Sequence, residues 1–358
     1  MKKNETACAL RRRTSIGGQA LMEGIMMRGP QKAAMAVRRP SGEIYFEQED
    51  IQKKKRPAFC RWPVIRGVFG FVDSLVMGYK YLMRSAEIAC EEVPEKKETE
   101  VEAQPEQPLD ANAPASQGSD EPKSMFGKAT MAIIMVIATV LGFALAIGLF
   151  VWLPTFLYGL FAGLLPDSWG LEGNRYLRSV FEGLLKIVIL ILYMALVSLM
   201  KDIRRTFMYH GAEHKTIFCY ENAVPLTVAN VKAQRRFHPR CGTSFLILML
   251  IVSIAIGLFI PAQFGSLEGV INSVLRAAIK LLLIPLTMGI GYELLKIAGR
   301  HDNLFTRIIS APGMWLQRIT VREPTDDMIE CAIKAFIAVL PEDEKEKELA
   351  LLEGEQAE

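Results

Sequence analysis

The chain has 358 residues, of which 51% are apolar and 23% charged, and its mean hydropathy is +0.21. A soluble protein rarely combines these values, so the composition points to long apolar runs separated by charged segments. The net charge of +3 sums charges that are segregated along the chain, and no nucleic-acid partner is expected.

Residues 1–62 read as an N-terminal cytosolic domain with β structure. The opening MKKNETACALRRRTSIGG has no apolar core, which argues against a secretory signal peptide. Alternation in AMAVRR, a Pro-Ser-Gly turn and EIYFEQ predict a β-hairpin. Residues 63–86 have apolar positions at helical spacing, with Arg66, Asp73 and Lys80 seven apart on another face. Gly67, Gly70, Ser74 and Gly78 add a small-residue seam. This predicts an amphipathic helix lying on the inner leaflet or packed against a bundle. Residues 87–123 hold eleven acidic and three basic residues and five prolines, the composition of a disordered linker.

Residues 124–298 form the predicted membrane domain. Four apolar stretches, 129–153, 180–200, 245–264 and 273–297, each reach the ~20 residues that cross a hydrocarbon core as helix. Residues 153–165 are open between a second short span and a re-entrant helix. The 201–242 loop carries eight basic residues against three acidic ones, while the neighbouring loops are nearly free of positive charge. By the lysine and arginine bias this loop is cytosolic, and with four spans so are both termini. Residues 299–340 predict a C-terminal cytosolic helical segment that packs back on the inner face, and 341–358 an acidic frayed helix or tail. The fold class is therefore mainly α and integral to the cell membrane: four transmembrane helices, a small β-containing cytosolic domain and a C-terminal cytosolic helix. The bilayer is the expected partner, with Lys201, Arg204 and Arg205 placed to meet anionic lipid head groups. A protein partner is open. Six scattered cysteines without a CxxC pair predict reduced thiols on cytosolic segments.

The chemistry concentrates in the basic loop. The chain has four histidines, and His210 and His214 stand four apart in HGAEHK, where a helix stacks them on one face. His238 precedes Pro239, which biases it toward extended backbone, and Cys241 follows three positions later. Imidazole and thiolate donors suit a divalent metal, zinc first. All four ligands would make a closed structural site. Three ligands and an open position would make a catalytic one, with Glu213 as general base. HGAEH also fits the HxxEH pattern of inverzincins. Glu293, inside the last span, is a further candidate ligand, with Lys296 as its bland partner. Glu182 with Lys186, and Arg276 with Lys280, have i,i+4 spacing and read as snorkelling or mutually paired residues.

GGQALMEGIMMRGP (17–30), YHGAEHKTIFCYE (209–221), FHPRCGTSF (237–245) and TVREPTDDMIECAI (320–333) resemble the YqhQ-like family. The resemblance covers residues 15–340 apart from the acidic linker. It implies a bacterial membrane protein with a domain of unknown function, of a kind described as predicted metal-dependent enzymes, and it brings no substrate with it. Two readings follow: a metal-dependent hydrolase acting at the cytosolic membrane interface, or a non-enzymatic membrane scaffold or assembly factor. Transport is weaker, because the spans lack interrupted, paired segments and midplane polar residues.

Overall fold

Four short strands come first in the computed structural model, which describes residues 14–51, 56–91, 128–164, 166, 174–261, 264–265, 269–300 and 303–356. Strands β1 (Gly17–Leu21), β2 (Gly24–Arg28), β3 (Lys32–Arg38) and β4 (Ile44–Asp50) form an antiparallel meander in sequence order. β3 and β4 pair from Lys32 with Asp50 to Arg38 with Ile44, around a turn closed by Arg39 and Glu43 with Gly42 at φ +90°. β1 and β2 close through Met22 and Glu23. Glu23 has φ +48°, a left-handed value rare outside glycine. Its carbonyl accepts the Arg38 N–H at 2.7 Å, and Arg205 grips its carboxylate (Nη2–Oε2 2.6 Å).

The run AAMAV in β3 is buried on both faces, so the sheet is a middle layer. Ala33, Met35 and Val37 pack with Tyr81 and Ile88 of helix α1 (Ile65–Ala89). Ala34 and Ala36 pack with Tyr209 and Ala212 of α5 (Lys201–Glu221) and with Met328 and Phe336 of α11 (Asp326–Ala338). An amphipathic α1 is needed because a two-faced sheet must be covered twice. Its glycine seam is the packing face: a Cβ at Gly67 would meet Tyr292 at 2.8 Å, and one at Gly78 would meet Gln19. α1 runs to Ala89, beyond the expected start of the acidic linker at residue 87. The linker's remainder, 92–123, lies outside the described residues. At the far end α12 (Glu342–Gln356) is helical, tied down by Lys32 to Glu342 (2.5 Å) and by Tyr220 to Glu344.

The chain divides into two compact units, Met1–Glu92 with Pro154–Glu358, and Val93–Leu153. In the second, α2 (Lys128–Ile147) leads into a π-helical turn, Gly148–Trp152, and the described side chains of α2 are exposed and, Thr139 apart, apolar. In the first, α3 (Leu153–Gly163), α4 (Arg175–Val197), α6 (Val228–Lys232), α7 (Gly242–Gly257), α8 (Gly269–Leu282), α9 (Ile284–Arg300) and α10 (Leu304–Thr320) complete the helices. α7 is central to their packing. Gly183 of α4 admits Ile254, Gly291 of α9 admits Phe245, and Gly313 of α10 lies against Ser244.

The structure is thus mainly helical with a small N-terminal antiparallel sheet. Four spans are expected from sequence, but among the described residues two helical stretches are long and apolar enough to cross a membrane: Val136–Gly163 and Arg175–Val197. A third counts if Ile271–Leu282 and Ile284–Ala298, bent by 43°, are taken as one. The break falls beside Pro285, which lacks an N–H and crowds the carbonyl four residues back. α7 is apolar but has 16 residues. That is about 24 Å of helix against a hydrocarbon core of ~30 Å. It stops ahead of Pro261, which disfavours helical backbone at Ile260. Residues 153–163, left open by the sequence, are helical as α3.

Candidate metal centre

The centre of α5 is buried nearly all round, from Tyr209 to Tyr220, because β1, α6, α11 and the 238–242 turn pack against it. Helical spacing alone puts His210 and His214 on one side, with ring centroids 4.5 Å apart. Backbone carbonyls then fix each ring. His210 Nδ1 lies 3.0 Å from the Thr320 carbonyl oxygen, and His214 Nδ1 lies 2.6 Å from that of Arg236. A carbonyl only accepts, so both Nδ1 atoms carry the proton and both Nε2 atoms present lone pairs. His210 Nε2 stands 3.0 Å from Cys241 Sγ. Among the described residues, His214 Nε2 is buried without a hydrogen-bond partner.

Cys241 arrives from the other direction as the N-cap of α7, its sulfur accepting the Thr243 N–H at 3.4 Å. The positive end of the α7 dipole therefore faces the sulfur. The ligand atoms of His210, His214 and Cys241 all lie within 4.8 Å of one another. A tetrahedral zinc with Zn–N of about 2.0–2.1 Å and Zn–S of about 2.3 Å asks for ligand atoms roughly 3–4 Å apart. The donor set fits such an ion, and the carbonyl partners are the usual device for aiming metal-binding imidazoles. Burial pushes the His214 pKa down, with Cys241 opposing, and so favours the neutral ring a metal needs.

Beside this trio is a cavity of about 280 Å³, bordered by Glu213, His238, Arg240 and the Gly17–Gly18 backbone. The Glu213 carboxylate accepts the Gly18 N–H at 3.0 Å. Burial raises its pKa, partly offset by His210 and that N–H. On the cavity's far side Glu221 accepts the Thr14 N–H (3.0 Å) and pairs with Arg240, whose other arm reaches the Thr14 carbonyl (3.0 Å). Burial alone would raise Glu221, but the donors of His238, Arg240 and the Thr14 backbone outweigh it and hold its pKa at about 2.

The trio His210, His214 and Cys241 is brought together, and Glu213 stands at its edge. His238 is close, 5.6 Å from the His214 ring, but faces elsewhere. Its Nδ1 accepts the Arg240 N–H at 3.2 Å, which leaves the proton on Nε2, 3.8 Å from Glu221. Gln317 holds the His238 backbone at both ends (2.9 and 2.8 Å) and also donates to Ser244. Glu293 is not in this group. It lies on α9 in a two-armed pair with Arg66 of α1 (Nε–Oε1 2.6 Å). Its partner is thus Arg66, which sequence spacing along α9 did not suggest. His301 lies outside the described residues.

Sequence reasoning missed the Thr320 and Arg236 carbonyls, which leave no residue-type signal. It also missed Glu221 and Gly18, although each sits within a quoted motif.

The profile of a family described as protein of unknown function (DUF1385) matches residues 62–342. The uncharacterized protein YqhQ of Bacillus subtilis (strain 168) is 31% identical over 328 residues, covering 91% of this chain and 92% of the relative. No solved structure matches.

Proposed function

Because the chain belongs to the DUF1385 family of YqhQ-like bacterial proteins, whose description assigns no activity, we propose a function from its site: a metal-dependent hydrolase working at the cytosolic face of a membrane. One observation carries the reading. Two imidazoles, each locked by a backbone carbonyl, aim Nε2 at one cysteine sulfur, and one Nε2 has no other partner. His210, His214 and Cys241 would hold a divalent ion, zinc by donor type. When bound, such an ion supplies Lewis acidity at a position open to the neighbouring cavity.

The chain's own residues do the rest. Glu213, steadied by Gly18, takes or returns a proton at its carboxylate oxygens. Arg240 and Glu221, locked together, fix Thr14 along the cavity rim. The substrate would be a lipid head group or a membrane-proximal peptide.

For the membrane, four crossings are proposed: Val136–Gly163, α4, α7 with the turns after it, and α8–α9. Both termini and the 201–242 segment are then cytosolic. Exposed apolar stripes support this setting, Val72, Val76 and Tyr79 on α1 and Leu304, Ile308 and Trp315 on α10. Lys201 and Arg204, exposed at the foot of α4, would meet anionic head groups.

The test is metal analysis of purified protein, followed by function in cells. The wild type should carry about one equivalent of metal, and replacing His210, His214 and Cys241 together should remove it. Glu213→Gln should keep the metal and lose function. A metal-free wild type ends the reading. Glu213→Gln with full function and full metal favours a scaffold whose metal is structural.

A further inference from the structure

Away from this centre, α3, α4 and α8 gather a second group of charges. Glu182 of α4 is 2% exposed. Arg178, one turn earlier, meets it at 3.0 Å, Thr155 of α3 donates at 3.4 Å, and Lys280 of α8 pairs with its other oxygen. Lys186, one turn later, feels both Glu182 and Lys280. Arg276, one turn before Lys280, is 1% exposed and within electrostatic reach of Arg178 and Glu182. Sequence spacing suggested that Glu182 with Lys186 and Arg276 with Lys280 snorkel or pair locally. Instead Glu182 reaches across to Lys280, and the two cations of α8 are left as neighbours. Among the described residues, four cations share one carboxylate.

Arg276 shows what is missing. Its Nη1 donates to the Pro261 carbonyl, while Nε and Nη2 are buried with no hydrogen-bond partner among the described residues. Those two atoms form the side-on edge of the guanidinium, the fork that matches two oxygens of one anion. A buried cation with an unmet fork is costly, and so is a surplus of positive charge among apolar helices.

We infer that Arg276, Lys280, Arg178 and Lys186 form a binding site for a phosphate-type oxyanion, presented either by a lipid head group or by a soluble phosphate. Phosphate suits the surplus better than a lone carboxylate, because it offers more acceptor oxygens to donors on two helices. Arg276 supplies the fork and the lysines act as point charges. The site shares no residue with the metal centre, so either can fail without the other.

The experiment uses the full chain in a neutral detergent, with dioctanoyl phosphatidylglycerol and inorganic phosphate as separate probes. Binding is read by titration and by the shift in melting temperature, with dioctanoyl phosphatidylcholine and acetate as controls. Saturable binding of phosphatidylglycerol alone assigns a lipid source, and binding of inorganic phosphate assigns a soluble one. Either supports the site if Arg276→Lys, which keeps the charge but loses the fork, weakens binding about tenfold while metal content stays unchanged. Lys280→Gln should weaken it as well. Binding of neither probe overturns the inference, as does equal binding by acetate, or wild-type affinity in both variants.

Discussion

Gly211, between the two histidines of α5, offers the most direct check on how the metal centre is held. A Cβ there would lie 1.9 Å from the Arg322 carbonyl oxygen, 3.1 Å from its carbon and 3.3 Å from Pro324 Cδ. Ordinary contact begins near 3.4 Å. The Arg322 carbonyl must therefore retreat by about 1.5 Å in a closely packed interior. It cannot swing aside as a side chain would. Arg322 is tied to α5 by its own N–H, 2.9 Å from the Phe207 carbonyl, and it lies two residues from Thr320, whose carbonyl aims His210. Two effects oppose each other in Gly211→Ala. Alanine favours helix by about 1 kcal/mol over glycine. Overpacking costs about 1–3 kcal/mol, more when backbone must move. Backbone must move here, so the variant should be destabilised by about 1–2 kcal/mol net. Losing the carbonyl that orients His210 should weaken metal binding about 10–100-fold. Thermal melting and a competitive zinc titration on wild type and variant read both. A variant as stable as the wild type, with unchanged zinc affinity, would show that the Arg322 segment does not clamp α5 and would refute the argument.

Three further outcomes are expected. His214→Ala should abolish metal binding, whereas His238→Ala should keep stoichiometric metal with at most a 10–100-fold loss of affinity, because His238 turns its nitrogens to Arg240 and Glu221; equal loss in both, measured by titration, would place His238 among the ligands. Glu221 is held at about pKa 2 in the fold, below the ~4.3 of an unfolded glutamate. Its ionised form thus adds stability above pH ~4.3 that fades as pH falls toward 2; the acid limb of a melting-temperature profile should flatten in Glu221→Gln, and superimposable limbs would count against the pairing. Gly18→Ala places a Cβ 2.8 Å from the Met26 carbonyl and 2.9 Å from the Glu213 carboxyl carbon. It should lower function together with stability, by about 1–3 kcal/mol from overpacking, and a chain melting like wild type would show that β1 can shift freely away from Glu213.

Periodicity and composition determined much of this protein. The apolar run 180–200 became α4, the 63–86 pattern became α1 with its glycine seam as the packed face, and the hairpin formed as β3–β4. Local patterns report local structure, because a helix stacks residues four apart and a strand alternates its faces wherever they lie. For the same reason His210 and His214 could be paired from spacing alone. Tertiary structure decided what spacing cannot express. It brought Cys241 to the histidines through the start of α7 and turned His238 away toward Glu221. It gave Glu293 to Arg66, 227 residues distant in sequence, and Glu182 to Lys280, 98 residues away. It also put the Thr320 and Arg236 carbonyls behind the imidazoles. Every residue carries the same backbone carbonyl, so which one orients a ligand is fixed by packing between elements and has no signature in the sequence.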